Sequence, residues 1–171
     1  MLAKPFGHIN IDAKKVIEYA NTHDGQCDTF ADVREEQVPN TDYVATNCFL
    51  WKWRGEGLNA LFPIEELHTI LGTVSNKPKK LTLYKQGPAN FTPPHIDKYY
   101  EVQDSKESFN NLKRSWIPLE NYQTGQVLMC DDFTMTHYKG GDVFVIPTGV
   151  THVGVNASLH ERYFITFTSF T

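Results

Sequence analysis

A mainly β domain with a helical N-terminal layer is predicted by a contrast between the two ends of the chain. Residues 12–23 place Ala13, Val16, Ile17 and Ala20 at three- and four-residue steps, the spacing of one helix face. From residue 81 onward the text changes to short runs rich in β-branched and aromatic residues, punctuated by Gly, Pro, Asn and Asp, which is the pattern of strands joined by tight turns. Seven such runs with no helix between them predict an antiparallel sandwich or barrel, α+β by count, with the N-terminal helices packed on one sheet.

Taken in order, Asp12 is the expected N-cap of the first helix and Gly25 its expected stop. Residues 63–71 form a second helix, with Pro63, Glu65 and Glu66 in a first turn that tolerates a missing N–H and favours negative charge. The predicted strands are 81–86, the stretch around His95, 113–120, 126–130, 142–147, 151–156 and 162–170. The last two, separated by Ala157–Glu161, read as a hairpin.

The chain has 171 residues, a length that suits one domain (1–171). Residues 1–80 are expected to be the helical, substrate-shaping part and 81–171 the β core. Lys and Arg total 16 against 20 Asp and Glu, for a net charge of −4, which argues against a partner bound through nucleic-acid phosphates. Only four of the basic residues are arginines: Arg34, Arg54, Arg114 and Arg162. Cys27, Cys48 and Cys130 have no paired spacing and read as reduced thiols. The opening MLAKPFGHINID lacks the apolar run of a signal peptide, and no segment approaches a membrane span. A cytoplasmic protein with no membrane partner is therefore expected.

Four residues stand out for chemistry. His95 and Asp97 lie two apart, hence on one face of a strand. His152 follows 57 residues after His95, at the start of another strand. Two histidines and one carboxylate form the facial triad of non-haem Fe(II), which leaves coordination positions open. Arg162 comes ten residues after His152, and a guanidinium returned towards the metal can bind a carboxylate bidentately. Arg114 and Trp116 alternate on one face of 113–120 and are candidate contacts to substrate or co-substrate, although core packing of Trp116 and a salt bridge for Arg114 explain them as well. Trp51 and Trp53, with Tyr99 and Tyr100, are candidates for an aromatic rim.

The stretches PPHIDKYY and GGDVFVIPTGVTHVGVNASLHERYFITF resemble the Fe(II)/2-oxoglutarate-dependent oxygenases, whose pattern is H-x-D, a distal His, and an Arg about ten residues further on. The resemblance covers residues 81–170 and implies a double-stranded β-helix, the jelly-roll or cupin-like barrel. It implies His95, Asp97 and His152 as iron ligands and Arg162 as partner of the far carboxylate of 2-oxoglutarate. Tyr84 resembles a tyrosine of prolyl-hydroxylase-like members that contacts the co-substrate, and Thr166 or Thr168, on the face of Arg162, would assist. The implied activity is O₂-dependent hydroxylation of a peptide side chain or small metabolite, with release of succinate and CO₂. Gly141, Pro147, Gly149, His152 and Asn156 also resemble the second cupin motif, which makes Asn156 a further candidate contact. The first cupin motif, H-x-H followed by Glu, is met only by His95, Asp97 and Glu101. A cupin-type metal enzyme without 2-oxoglutarate and a non-catalytic β-barrel binding module are the alternatives.

Overall fold

The computed structural model describes residues 2–28, 50–77, 79–97 and 109–171. Eleven strands and three helices follow in the order β1 (Gly7–His8), α1 (Ala13–Thr22), β2 (Gln26–Asp28), β3 (Leu50–Trp53), α2 (Glu56–Asn59), α3 (Ile64–Leu71), β4 (Lys80–Gln86), β5 (Asn90–Phe91), β6 (Leu112–Pro118), β7 (Gln126–Cys130), β8 (Phe133–Met135), β9 (Asp142–Ile146), β10 (His152–Asn156) and β11 (Arg162–Phe170).

The strands from β4 onward form two facing sheets. One carries the order β9-β6-β11-β4 and the other β5-β10-β7-β8. Most consecutive strands lie in opposite sheets, and all pairs are antiparallel. This is a double-stranded β-helix, with the helices on one sheet. The first sheet is widened by β1 at one edge and by β3 and β2 at the other, to seven strands. The N-terminal part is therefore not only helical. Its strands are two to four residues long, too short to show a period of two in the sequence.

Alternation along β11 divides the molecule. Tyr163, Ile165 and Phe167 belong to a core shared with Val16, Ala20, Leu58 and Leu67 of the helices. Phe164, on the other face, joins Trp116, Leu128, Cys130, Met135, Tyr138 and Phe144 inside the barrel. The same alternation puts Leu81 and Leu83 of β4 towards the helices and Lys80, Thr82, Tyr84 and Gln86 towards the barrel interior.

Helix α1 starts where expected, with the Asp12 carboxylate accepting from the Lys15 N–H at 3.2 Å. It ends at Thr22, with His23 as C-cap. Gly25 serves another purpose: a Cβ there would lie 2.6 Å from the Trp53 indole. Trp53 faces the helical core and donates to the His23 carbonyl, and Trp51 shares its face by alternation. Both therefore point away from the barrel interior, which corrects the expectation of an aromatic rim. Tyr99, Tyr100 and Glu101 lie outside the described residues.

The expected hairpin between β10 and β11 is not formed. β10 pairs with β5 and β7, whereas β11 pairs with β4 and β6 in the opposite sheet. The connection from Ala157 to Glu161 is a corner between sheets. Among the described residues no helix is long and apolar enough to cross a membrane. Ile165, fully buried between β11 and the helices, sets the stability of this layer. Ile165→Ala is expected to cost about 2–5 kcal/mol, read as a fall in the urea midpoint with little change in slope.

Candidate metal centre

His95 and His152 are joined through their backbones. The His95 N–H donates to the His152 carbonyl at 3.1 Å, and the His152 N–H donates to the His95 carbonyl at 2.9 Å. This bridge continues the β5–β10 ladder by one pair beyond an irregular stretch. It sets the two imidazoles side by side, with ring centroids 4.2 Å apart. Asp97, two residues past His95, brings its carboxylate within 3.7 Å of His95 Nε2 and 3.6 Å of His152 Nε2. One ligand atom from each residue lies within 4.8 Å of the others.

Both imidazoles are anchored from behind. His95 Nδ1 donates to the Pro93 carbonyl at 2.7 Å, and His152 Nδ1 to the Val150 carbonyl at 3.2 Å. A carbonyl only accepts, so each Nδ1 carries a proton, and the neutral form of either ring presents Nε2 as a lone pair. Burial drives the His152 pKa down to about 4, against the raising field of Asp97, so this ring is neutral at pH 7. Asp97 Oδ2 is buried and accepts no hydrogen bond. Three lone-pair atoms thus converge, and a cation among them would satisfy all three. The donor set fits a divalent metal ion with one carboxylate and two imidazoles.

The surroundings are basic on one side and apolar on the other. Arg114 Nε lies 3.0 Å from Asp97 Oδ2, a contact close enough for ion pairing but not aligned as a hydrogen bond. Arg114 therefore pairs with a proposed metal ligand, deeper than a surface salt bridge. Cys130 is the register partner of His152 across β7 and β10. Burial pushes its thiol up to about 12, so it stands as a neutral wall beside the triad. Sequence reading assigned it no place there, because nothing in its spacing reveals the register of β7 against β10.

The other candidates are distributed along the barrel interior. Tyr84 stacks on Phe164 at 5.2 Å. Thr166 lies between Thr82 and Trp116 in register, and Thr168 between Lys80 and Arg114. Trp116 is 2% exposed and packs against Tyr138, Phe144 and Phe164, the core role weighed for it from sequence. Arg162 is 3% exposed, with its guanidinium beside the Trp116 and Phe164 rings. Its Nη1 donates to the carbonyls of Val127 and Val155 at 3.0 and 3.3 Å.

Arg162 still reaches towards the triad. A Cβ on Gly154 would lie 3.0 Å from Arg162 Nη2 and 3.2 Å from Thr92 Oγ1. Gly154 is two residues from His152 on the same face of β10, about 7 Å along the strand. Asn156 takes no part in this. It is fully buried, and its amide nitrogen meets the carbonyls of Gln86, Gly87 and His160 at 2.9, 3.0 and 2.8 Å. It is the clamp of the corner between sheets, and this corrects its reading as a substrate contact.

No protein-family model and no curated protein matches the chain. Solved structures match at low identity. A predicted oxalate decarboxylase from Thermotoga maritima is 15% identical, over 72% of this chain and 82% of its own, with a TM-score of 0.44. A Cupin 2 conserved barrel domain protein from Salinispora arenicola is 16% identical, over 70% and 75%, with a TM-score of 0.41. The cupin domain of Cnp3 from Schizosaccharomyces pombe is 10% identical, over 71% and 65%, with a TM-score of 0.43. Likenesses this distant transfer no site and no activity.

His152→Ala and Asp97→Ala are each expected to weaken Mn(II) binding by more than about 100-fold, beyond the 10–100-fold effect of losing an outer hydrogen-bond partner. Calorimetric titration reads the affinity, and a retained cooperative unfolding transition shows that the barrel persists.

Proposed function

We propose that this chain is a non-haem Fe(II)- and 2-oxoglutarate-dependent dioxygenase that hydroxylates a peptide side chain or small metabolite. The observation that carries the reading is the convergence of His95, His152 and the Asp97 carboxylate on one point inside a double-stranded β-helix. With O₂ as oxidant and 2-oxoglutarate as co-substrate, Fe(II) at that point would activate O₂ for C–H hydroxylation, one oxygen atom going to the substrate and the other to succinate, with CO₂ released.

The chain's own residues have separate tasks in this reading. Pro93 and Val150 carbonyls fix the two imidazole tautomers. Asp97 supplies the single negative ligand, held against Arg114. Deeper in the barrel, Arg162 Nε and Trp116 Nε1 are buried donors without an acceptor, and the guanidinium carbon is 5.7 Å from the indole ring. Unsatisfied buried donors are costly, and a ligand carboxylate at Arg162 Nε would satisfy one of them. Arg162 is thus the proposed partner of the far carboxylate of 2-oxoglutarate. Trp116 is placed beside it, and Tyr84 and Thr166 line the same face. The missing side chain at Gly154 leaves room for the Arg162 guanidinium against β10.

A second reading, a cupin-type metal enzyme that does not use 2-oxoglutarate, draws on a different observation. Arg162 Nη1 is already committed to two backbone carbonyls, which reduces what the guanidinium can offer a ligand.

One experiment separates the two. The protein loaded with Fe(II) is expected to convert 2-oxoglutarate to succinate with uptake of O₂. Arg162→Lys keeps the charge but loses the fork, and is expected to weaken 2-oxoglutarate binding by about 10-fold or more with Mn(II) affinity unchanged. Metal binding without succinate formation would favour the second reading.

A further inference from the structure

The guanidinium of Arg162 crosses the barrel interior from the first sheet to the second. Its Nη1 donates to the Val127 and Val155 carbonyls of β7 and β10. Its carbon lies 5.3 Å from the Phe164 ring and 5.7 Å from the Trp116 ring. Both hydrogen bonds leave from one nitrogen. They anchor one corner of the fork and only weakly fix the direction of the edge that carries Nε, which has no acceptor. The rings attract the cation but do not select a direction within the guanidinium plane. A further contact is needed to aim it.

Tyr138 supplies that contact. It lies between β8 and β9, is 4% exposed, and packs edge-on against Trp116 at 5.1 Å, so it meets the same indole as the guanidinium. Its hydroxyl donates to Gln126 Oε1 at 2.9 Å. A hydroxyl that has given its one proton keeps its lone pairs for a donor, and Arg162 is that donor. Burial raises the Tyr138 pKa, and the charge of Arg162 and a hydrogen bond from it oppose the rise. Gln126 is buried in turn, and its Nε2 donates to Ser158 Oγ at 3.4 Å. There is space for the guanidinium to turn elsewhere. Gln126, Tyr138 and Arg162 share a cavity of about 110 Å³ with Glu120 and Glu161, room for several waters. Either carboxylate would attract a guanidinium that swung that way.

We propose that Tyr138 is a positioning residue for the carboxylate-binding arginine: its hydroxyl, fixed on Gln126, holds the Arg162 guanidinium so that the Nε edge stays available to an incoming carboxylate. The inference rests on the reading of Arg162 as the partner of the far carboxylate of 2-oxoglutarate. In this role Tyr138 acts through Arg162 and not on the reacting atoms. The gain is preorganisation. An arginine that is already aimed loses less rotamer freedom when the ligand arrives. The arrangement also divides the guanidinium between two tasks. Nη1 is spent on the backbone of the second sheet, and Nε is kept for the ligand.

The test uses the full chain, labelled with heavy nitrogen and loaded with Zn(II), in nuclear magnetic resonance. The chain has four arginines, and the Arg162 Nε–H signal is the one lost in Arg162→Lys. Tyr138→Phe keeps the ring and removes the hydroxyl. It is expected to speed solvent exchange of the Arg162 Nε proton about 10-fold, the effect of one lost hydrogen bond to a charged group. In the Fe(II)-loaded protein it is expected to raise KM for 2-oxoglutarate by about the same factor with kcat unchanged. Gln126→Met, which removes the acceptor of the hydroxyl, is expected to move both readouts in the same direction. Tyr122 packs edge-on against Tyr138 at 5.6 Å, and Tyr122→Phe, which removes a hydroxyl from the same cluster, is expected to move neither. Wild-type exchange in Tyr138→Phe, an equal effect of Tyr122→Phe, or faster exchange with an unchanged KM would overturn the proposal. The exchange readout is independent of turnover. Faster exchange in Tyr138→Phe with no succinate from either form would keep the positioning role and remove the oxygenase reading, whereas succinate formation with equal KM in both would do the reverse.

Discussion

The candidate centre depends on a single backbone pairing. His95 and His152 exchange both of their N–H to carbonyl bonds across the second sheet, though 57 residues of chain separate them. The pairing fixes the distance between the imidazoles before any side chain is placed. Once it forms, alternation alone puts Asp97 on the ligand side, and the β10 register sets Cys130 beside His152. The flanking carbonyls of Pro93 and Val150 then choose the tautomers. Local chain geometry thus prepares the ligands before a metal arrives, and less ordering is left to binding itself.

How much of this was legible in the sequence differs by element. The six longer strands, β4, β6, β7, β9, β10 and β11, and helices α1 and α3, carry enough residues for a period to show. β8 at Phe133–Met135 and the strands β1 to β3 do not, and their places come from pairing with distant partners. His95, Asp97 and His152 could be proposed together because residue type, spacing and order are written in the chain. Lys80 could not, because its relation to Asp97 exists only through the register of β4 and β11. A lysine at the start of a strand looks the same in sequence whether it faces water or a cavity. Asn156 illustrates the opposite error: a motif position of the right type, spent on holding a corner.

Arg162 shows how a buried cation can be tolerated before any ligand arrives. Two carbonyls take Nη1, and the rings of Trp116 and Phe164 lie against the guanidinium. Removing a charge from water is costly unless it is paired or solvated by dipoles. Carbonyls and ring faces offset part of that cost, and the unsatisfied Nε remains. The wall of the barrel is therefore arranged in two electrostatic zones. One is enclosed and holds one arginine among rings. The other holds Arg114 and Lys80 beside Asp97.

The central strand also constrains how the molecule is made. β11 lies between β4 and β6 and is buried along all nine residues, yet it follows every strand it organises in the chain. Until it is synthesised, β4 and β6 have no common neighbour, and the helices and the barrel interior have no wall between them. Domains fold as the chain emerges from the ribosome, but here the earlier strands must wait with edges open. Their protection in that interval depends on the shortness of the strands and on the charges they carry. The stretch that completes the fold also carries Arg162, Thr166 and Thr168, so a nascent chain that has no core has no binding wall either.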